Sequence, residues 1–176
     1  MIVLCYDGSA GARAAVDLAG EAMAGAETTV LTIWESVLDV IVRSGAIVGN
    51  LGAPAGGEDY ERLDQASEQA ARDIAAEGVQ RARDVGLGAQ ARVVRRHGGI
   101  GESILTQAAD AHADLIFVGT RGRGDVRSLL LGSVSHYLVQ HADRAVSVVP
   151  PSELIDRRRH VQPVTLTDGG SATDTR

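Results

Sequence analysis

The chain has 176 residues, which suffices for one domain with its own hydrophobic core but is short for two. Its formal charge of −6 argues against a general nucleic-acid binder, which normally carries a basic face. All 17 basic residues are arginines, so a Schiff-base lysine and a phosphate-binding Walker-A lysine are both excluded.

The cysteine content and the hydropathy pattern indicate the compartment. Cys5 is the single cysteine, so no internal disulfide can form and a reducing compartment is expected. No apolar run reaches the roughly 20 residues that a membrane-spanning helix needs, and no signal-peptide pattern follows Met1. We therefore expect a cytoplasmic protein that does not insert into a membrane.

The first part of the sequence predicts two strands separated by a helix. The apolar run 2–6 is typical of a strand that is buried on both faces, and it ends in a turn at Asp7-Gly8-Ser9. Ser9 can cap the alanine-rich helix that follows. The β-branched run 28–34 predicts the second strand.

One long helix dominates the middle of the chain. Residues 36–58 are ambiguous, since a short helix over 37–42 gives way to glycines that are typical of a flexible loop. Glu58 to Val85 then predicts a long, highly charged helix. Its expected core contacts are Leu63, Ala66, Ala70, Ile74 and Val85.

Three further strands and two helices are predicted in the rest of the chain. Residues 89–94 form a third strand that is rich in arginine and is therefore expected near an edge of the sheet. The remaining elements are a loop at 98–101, a helix over 102–112, a fourth strand at 115–118, a helix that begins near Ser133, and a fifth strand at 145–149.

Strands that alternate with helices predict βαβ units, with a mainly parallel sheet in one domain over residues 1–150. Residues 151–176 have few apolar positions, and we expect a tail that is disordered or only weakly docked. In such sheets, ligands bind beyond the carboxyl ends of the strands, where the strand order reverses. The turn after Tyr6 and the segment Gly119–Gly122 would face each other there if the first and fourth strands are neighbours.

A glycine-rich segment between the fourth strand and the next helix carries the clearest functional signal. Gly119, Gly122, Gly132 and Ser133 follow the spacing Gly-x2-Gly-x9-Gly-Ser. Glycines let a backbone approach a ligand closely, and the helix N-terminus behind such a loop offers unpaired N–H groups to an anion. The segment therefore predicts a phosphate site, and nucleotide binding is the first hypothesis.

Other phosphate and metal motifs are absent from the sequence. There is no Walker-A motif, and Arg127 stands where a Gly-x-Gly-x2-Gly pattern that starts at Gly122 needs its third glycine. No histidine or cysteine has a partner at a spacing that is diagnostic of a metal site. A dinucleotide-binding fold and a zinc centre are therefore disfavoured.

In its order and its flanks, the glycine segment resembles the universal stress protein family, specifically the ATP-binding branch. The resemblance covers about residues 1–150 and includes Val3 to Ser9, Ala113 to Gly119 and Leu129 to Ser135. It implies a single doubly wound α/β domain with a five-stranded parallel sheet of order 3-2-1-4-5 and helices on both faces. The loop 98–101 departs from the more usual Gly-Asp/Asn-Pro, which affects local loop geometry and not the ligand site.

The resemblance implies a role for each matching residue. The backbone N–H groups of residues 132–135 and the hydroxyls of Ser133 and Ser135 would bind the phosphates. Gly119 and Gly122 would leave room for ribose and phosphate. The full predicted set for nucleotide binding is Cys5, Tyr6, Asp7, Ile33, Val118, Gly119, Arg121, Gly122, Gly132, Ser133, Val134 and Ser135. Within this set Arg121 would lie beside the phosphates, Cys5, Tyr6 and Asp7 would line the adenine–ribose end, and Ile33 would border the adenine.

Two interpretations of Asp7 stay open at this point. A short acidic side chain in a turn often bonds its own backbone, and such a residue needs no ligand to explain it. Its position opposite the glycine segment favours a ligand contact instead. No catalytic residue and no metal ligand is predicted.

Three functions compete. The first is a regulatory module that holds ATP, with Mg²⁺ as a candidate companion ion, and signals to an unidentified protein partner. The second is a slow ATP hydrolase, for which only Asp7 and Asp125 offer carboxylates near the site. The third is a nucleotide-free dimer with a structural or chaperone-like role. The resemblance also implies a homodimer through the fifth strand, because an exposed strand edge is a template for pairing.

Overall fold

The computed structural model describes residues 1–44, 57–120, 122 and 131–159. Its strands are β1 (Ile2–Cys5), β2 (Glu27–Trp34), β3 (Gly88–Arg95), β4 (Leu115–Gly119) and β5 (Ala145–Val149). Its helices are α1 (Ala10–Ala22), α2 (Val37–Ser44), α3 (Gly57–Asp84), α4 (Ile100–Asp110), α5 (Ser133–His141) and α6 (Ser152–Arg159).

The five strands form one parallel sheet in the order β3-β2-β1-β4-β5. Leu4 of β1 is in register with Val30 of β2 and with Phe117 of β4, so the strand order reverses between β1 and β4. The predicted fold class and strand order are confirmed. The edge positions that the sequence predicts for the third and fifth strands are confirmed as well.

Alternation along the strands sends side chains to two separate cores. Ile2, Leu4 and Tyr6 lie on the face that packs against α1 and α3. Val3 and Ile116 lie on the opposite face, where they pack with side chains of α4 and α5. Side chains of a strand point alternately to the two faces, so a strand that is buried on both reads as a continuous apolar run.

The residues through which α3 and the turn after it contact the core match the predicted set only in Ile74 and Val85. Its most buried apolar side chains are Ala71, Ala75, Val79 and Ala82, with Ile74 partly buried beside them. Leu63 is 44% exposed, and Ala66 and Ala70 are exposed as well, so these three predicted core contacts are wrong. The first turns of α3 lie beside α2 instead, where Asp64 accepts hydrogen bonds from the Ser36 hydroxyl (2.7 Å) and the Val37 N–H (2.7 Å).

Helix α4 begins two residues earlier than the sequence predicts, because glycines of the preceding loop become part of it. Gly99 caps the helix, and its N–H donates to the Glu102 carboxylate at 3.3 Å. Gly101 lies in the first turn, where a Cβ would come 2.4 Å from Cδ1 of Tyr137 on α5. The glycine-rich loop therefore serves the close packing of α4 against α5.

The segment after β5 is helical where the structure describes it. Helix α6 contacts α1, and Ile155 packs against the core on that face of the sheet. The helix lies within the segment for which the sequence predicts a disordered or weakly docked tail. Residues 160–176 lie outside the described residues, so for them the expectation stays a prediction.

None of the helices in the described part of the chain combines the length and the apolar character needed to cross a membrane.

Candidate functional site

The turns that follow β1 and β4 meet at the carboxyl edge of the sheet. Because the two strands are neighbours, Asp7 and Gly122 come into contact, and a Cβ on Gly122 would lie 2.6 Å from Oδ2 of Asp7. The sequence predicts this apposition on the condition that the first and fourth strands pair, and the condition holds. Gly122 is exposed and Asp7 is half-buried, so the contact lies at the surface.

Asp7 has a structural role in its own turn. Its Oδ1 accepts a hydrogen bond from the Ser9 N–H at 3.0 Å, and Gly8 adopts a φ of +76°, which a side chain would disfavour. Ser9 caps α1 by accepting from the Ala12 N–H at 3.2 Å. One carboxylate oxygen thus shapes the turn while the other faces Gly122, so the two interpretations of Asp7 are compatible.

Gly119 is required by packing. It is buried at the end of β4, and a Cβ would lie 2.7 Å from the carbonyl carbon of Gly11 and 3.0 Å from the nitrogen of Ala12. The start of α1 therefore crosses β4 at a distance that only glycine permits. The sequence-based expectation assigns Gly119 to ribose or phosphate, whereas the structure gives a reason that needs no ligand.

The start of α5 engages two of the predicted phosphate donors in bonds within the protein. The Gly132 N–H donates to the carbonyl oxygen of Thr120 at 2.7 Å. The Ser135 hydroxyl is buried and donates toward the carbonyl oxygens of Thr120 (3.1 Å) and Gly132 (3.0 Å). Both groups hold the turn in shape, which corrects the expectation that they donate to phosphate.

The remaining predicted donors lie at the open end of α5. The N–H groups of Ser133, Val134 and Ser135 occupy its first turn, where the helix itself supplies no acceptor. Ser133 is exposed, so its hydroxyl can also reach a ligand. This N-terminus carries the positive end of the helix dipole and favours an anion. Arg121, predicted to lie beside the phosphates, falls outside the described residues.

Thr120 is a site residue that the sequence pattern does not reveal. Its carbonyl oxygen accepts from Gly132 and Ser135, and its N–H donates to the Val149 carbonyl at 2.8 Å. It therefore ties the glycine segment to both α5 and β5. Within the motif it occupies a variable position, and only its place directly after the predicted fourth strand could have suggested this role.

The apolar and aromatic residues of the predicted nucleotide-binding set divide between the two faces of the sheet. Cys5, Ile33 and Val118 belong to the apolar cluster on the side of α4 and α5. Burial, and then the charge of Asp7, raise the pKa of the Cys5 thiol to about 12, so it behaves as an apolar group at neutral pH.

Tyr6 points to the other face, which corrects its predicted place in the site. Its side chain is 2% exposed, and a Cβ on Gly78 of α3 would lie 2.6 Å from its Cδ1. Its hydroxyl donates to Glu77 at 2.7 Å. The side chain of Tyr6 thus contacts α3 and cannot line the space between Asp7 and Gly122.

No group of three or more His, Cys, Asp or Glu side chains within the described ranges could hold a metal ion. At the carboxyl edge of the sheet, the described residues provide the first turn of α5, the exposed Ser133 hydroxyl and the Asp7 carboxylate. That combination can hold an anion attached to a polar group such as a sugar.

Sequence comparison places the chain among proteins of one kind. Residues 1–150 match the universal stress protein family. The chain is 38% identical over 151 residues to the universal stress protein in the QAH/OAS sulfhydrylase 3′ region of Thermus aquaticus, and the match covers 84% of this chain and 96% of that protein.

Solved structures share the fold. The hypothetical protein MJ0577 superposes with a TM-score of 0.66 at 21% identity, over 85% of this chain and 94% of that one. The universal stress protein from Archaeoglobus fulgidus, in complex with dAMP, gives 0.58 at 19% identity over 84% and 95%. A universal stress protein family member from Arabidopsis thaliana with AMP bound gives 0.52 at 16% identity over 85% and 90%.

Proposed function

Because this chain belongs to the universal stress protein family, we propose that it is a regulatory module that holds an adenine nucleotide where β1 and β4 end. One observation carries the proposal. The Asp7 carboxylate lies against Gly122, on the same edge of the sheet as the open N-terminus of α5. A carboxylate suits the hydroxyls of a ribose, and helix N–H groups suit a phosphate.

The phosphates are held by backbone dipoles in this proposal. The N–H groups of Ser133, Val134 and Ser135 donate to them, and the Ser133 hydroxyl adds a fourth donor. The chain contains no lysine that could take this role. We propose ATP as the ligand, with Arg121 beside its phosphates.

A bound Mg²⁺ would depend mainly on the nucleotide for its ligands. Asp7 is the one carboxylate that the described part of the chain places against Gly122. Mg²⁺ commonly binds to proteins through one or two carboxylates together with substrate phosphates and water. The residues present therefore fit Mg²⁺ as a companion of ATP rather than as a resident ion.

The adenine is proposed to lie at the apolar ends of β1 and β2. Cys5 and Ile33 are partly buried there in one cluster, and both offer apolar surface to a flat ring. The relatives from Archaeoglobus fulgidus and Arabidopsis thaliana carry dAMP and AMP, which share the adenine base. That shared base supports adenine over other bases.

We propose holding rather than hydrolysis as the activity. Asp7 already accepts the Ser9 N–H in its turn, and a carboxylate fixed in this way is poorly free to orient an attacking water. A ligand that binds only the folded state stabilises it more as the ligand concentration rises above Kd, so the module would respond to cellular ATP. An unidentified protein partner would then distinguish the bound state from the empty one.

A homodimer through β5 completes the proposal, together with a cytoplasmic location. Strand β5 lies at the edge of the sheet, and Val146 and Val148 are only partly buried. Pairing with the same strand of a second copy would cover this edge. Sedimentation at micromolar concentration should show a dimer, and a monomer would contradict this part.

Mass spectrometry of ligand released from freshly purified protein tests the proposal. We expect ATP to co-purify with the wild type, to be lost from Gly122→Val, and to be retained in part by Ser133→Ala. A protein that is empty and shows no thermal shift with any nucleotide would contradict nucleotide binding. Sustained ADP release well above about one turnover per minute would instead favour the hydrolase.

A further inference from the structure

We infer that Tyr6, Glu77 and Arg13, here named the Glu77 clamp, are positioning residues that hold Asp7 in place for the nucleotide. The inference rests on the proposed function. It gives Tyr6 a role other than the predicted one, and it adds Glu77 and Arg13, which the predicted set does not contain. The three side chains bond one another through the Glu77 carboxylate. They restrain the turn that contains Asp7, because Glu77 bonds one residue before the turn and one after it.

Tyr6, the residue before Asp7, is held by its backbone and by its side chain. The Tyr6 N–H donates to the Leu31 carbonyl at 2.9 Å, and the Tyr6 carbonyl accepts from the Thr32 hydroxyl at 2.9 Å. Its ring packs so closely on α3 that position 78 there must be glycine. The peptide that leads into Asp7 therefore has little freedom to rotate.

Glu77 joins the two ends of the turn. Its Oε1 accepts from the Tyr6 hydroxyl at 2.7 Å, and from Nη2 and Nε of Arg13 at 2.8 and 3.0 Å. Tyr6 directly follows β1 and precedes the turn, and Arg13 lies in the first turns of α1 after it. A single carboxylate oxygen on α3 thus bonds residues on both sides of the segment that contains Asp7 and Ser9.

The protonation states suit this arrangement at neutral pH. Burial, and then the hydrogen bond to Glu77, raise the pKa of Tyr6 to about 12, so its hydroxyl remains a donor. The hydrogen bonds from Tyr6 and Arg13 lower the pKa of Glu77, so it remains ionised. Hydrogen bonds to ionised groups are stronger than those between neutral groups. The side chains of Arg13 and Glu77 are nearly half exposed, so water screens their interaction.

The clamp matters because the Asp7 carboxylate lies very close to Gly122. A Cβ on Gly122 would already lie within 2.6 Å of the Asp7 carboxylate, so a small rotation of the turn changes the space left for a ligand. Binding groups must be held to within about 0.5 Å by supporting contacts to act at full strength. Loosening the clamp should therefore weaken nucleotide binding while the pocket keeps every group that touches the ligand.

The test compares Tyr6→Phe and Glu77→Gln with a control at another ion pair between α1 and α3. Tyr6→Phe keeps the ring on Gly78 and removes only the hydroxyl that bonds Glu77, and Glu77→Gln weakens the same clamp from the other side. Asp17 and Arg81 form a second ion pair between α1 and α3, at 2.6 and 2.9 Å, one helical turn further from the site. Asp17→Asn therefore loosens the same helix interface away from Asp7.

Calorimetric titration with ATP gives the readout, with thermal unfolding measured in parallel. We expect Tyr6→Phe and Glu77→Gln to raise Kd about three- to tenfold, the size of one net hydrogen bond. Asp17→Asn should lower the melting temperature and leave Kd within about twofold. In an Asp7→Asn background, Tyr6→Phe should cause no further change in Kd, because the clamp acts through Asp7.

Each contrary result overturns a distinct statement. An unchanged Kd in Tyr6→Phe and Glu77→Gln, or an equal loss in Asp17→Asn, contradicts the clamp while the proposed function stands. If Tyr6→Phe raises Kd by the same factor in the Asp7→Asn background as in the wild type, Tyr6 acts independently of Asp7. If the wild type binds no nucleotide, the proposed function fails first, and the clamp fails with it.

Discussion

At the carboxyl edge of the sheet, β1 and β4 end in glycine turns, whereas β2 and β3 end among paired charges. The glycine end comprises Asp7, Gly122 and the first turn of α5. The arginine end comprises Glu35, Asp39, Arg43, Arg95 and Arg96. Both ends belong to one parallel sheet and face the same side, and in the described part of the chain the glycine end presents the first turn of a helix, whose N–H groups the helix itself leaves open.

The charges of the arginine end are committed to one another. Glu35 pairs with Arg43 at 2.5 Å and also with Arg96, while Arg95 pairs with Asp39 at 3.0 Å and lies over the ring of Trp34 at 5.9 Å from its centroid. A cluster of arginines therefore does not by itself mark an anion site. In a chain without lysine, the better anion site is the one built from backbone N–H groups.

The largest effect on stability should come from Gly119, which ends β4 and packs against the start of α1. Gly119→Ala forces a Cβ into the backbone of Gly11, and we expect a loss of about 2–3 kcal/mol in the free energy of unfolding. Gly88→Ala, at the start of β3, is the control, because its Cβ would meet nothing closer than 3.5 Å. Urea denaturation measures both, and equal stabilities would show that β4 and α1 are not tightly packed.

The next largest effect is expected at Gly122, where a substitution should lower ATP affinity more than the free energy of unfolding. In Gly122→Ala the new methyl group meets the far end of the Asp7 side chain, which can rotate away. We expect ATP affinity to fall about tenfold, or about 1.4 kcal/mol, with little change in stability. Gly99→Ala, where the nearest atom lies at 3.9 Å, should bind as the wild type does. Unchanged affinity in Gly122→Ala would place the ligand elsewhere.

The arginine end should show the opposite behaviour. Arg96→Gln leaves Glu35 with one cation fewer in a site where both side chains are about one-fifth exposed, and we expect stability to fall by about 1 kcal/mol. Nucleotide affinity should stay within about twofold, because this end binds no phosphate in our account. A large loss of ATP affinity with unchanged stability would reverse the assignment of the two ends.

The smallest effect is a pH dependence at Glu35. Burial alone would raise its pKa, but hydrogen bonds from Arg43 and Arg96 outweigh burial and lower it. Because the pKa of the folded state lies below that of the unfolded state, ionised Glu35 stabilises the fold at neutral pH, and this contribution is lost as the pH falls through the carboxylate range. The stability difference between wild type and Glu35→Gln should therefore shrink in acid, and a constant difference would contradict the pairing.

Much of the fold follows from local patterns, and the errors have identifiable causes. The alternation of strands and glycine-bounded helices predicts the sheet, and its order brings Asp7 to Gly122. In contrast, α3 is rich in alanine on several sides, so the sequence could not show which alanines meet the sheet. That choice depends on how α3 lies against the sheet in the folded protein.

The errors at the candidate site are of two kinds. Strand alternation alone places Tyr6 with Ile2 and Leu4, so its position away from the site could have been predicted. The engagement of the Gly132 N–H and the Ser135 hydroxyl could not, because both depend on where the carbonyl oxygen of Thr120 points in the folded turn. A motif fixes which residues meet, but it leaves open which of their polar groups are already bonded.

Amide chemical shifts during parallel titrations with ATP and with adenosine test the central claim most directly. If the backbone of the glycine end holds the phosphates, the N–H signals of Ser133 and Val134 should move strongly with ATP and far less with adenosine. Signals of Arg95 and Arg96 should barely change with either ligand. Phosphate-dependent shifts confined to the arginine end, with Ser133 and Val134 unmoved, would contradict the account.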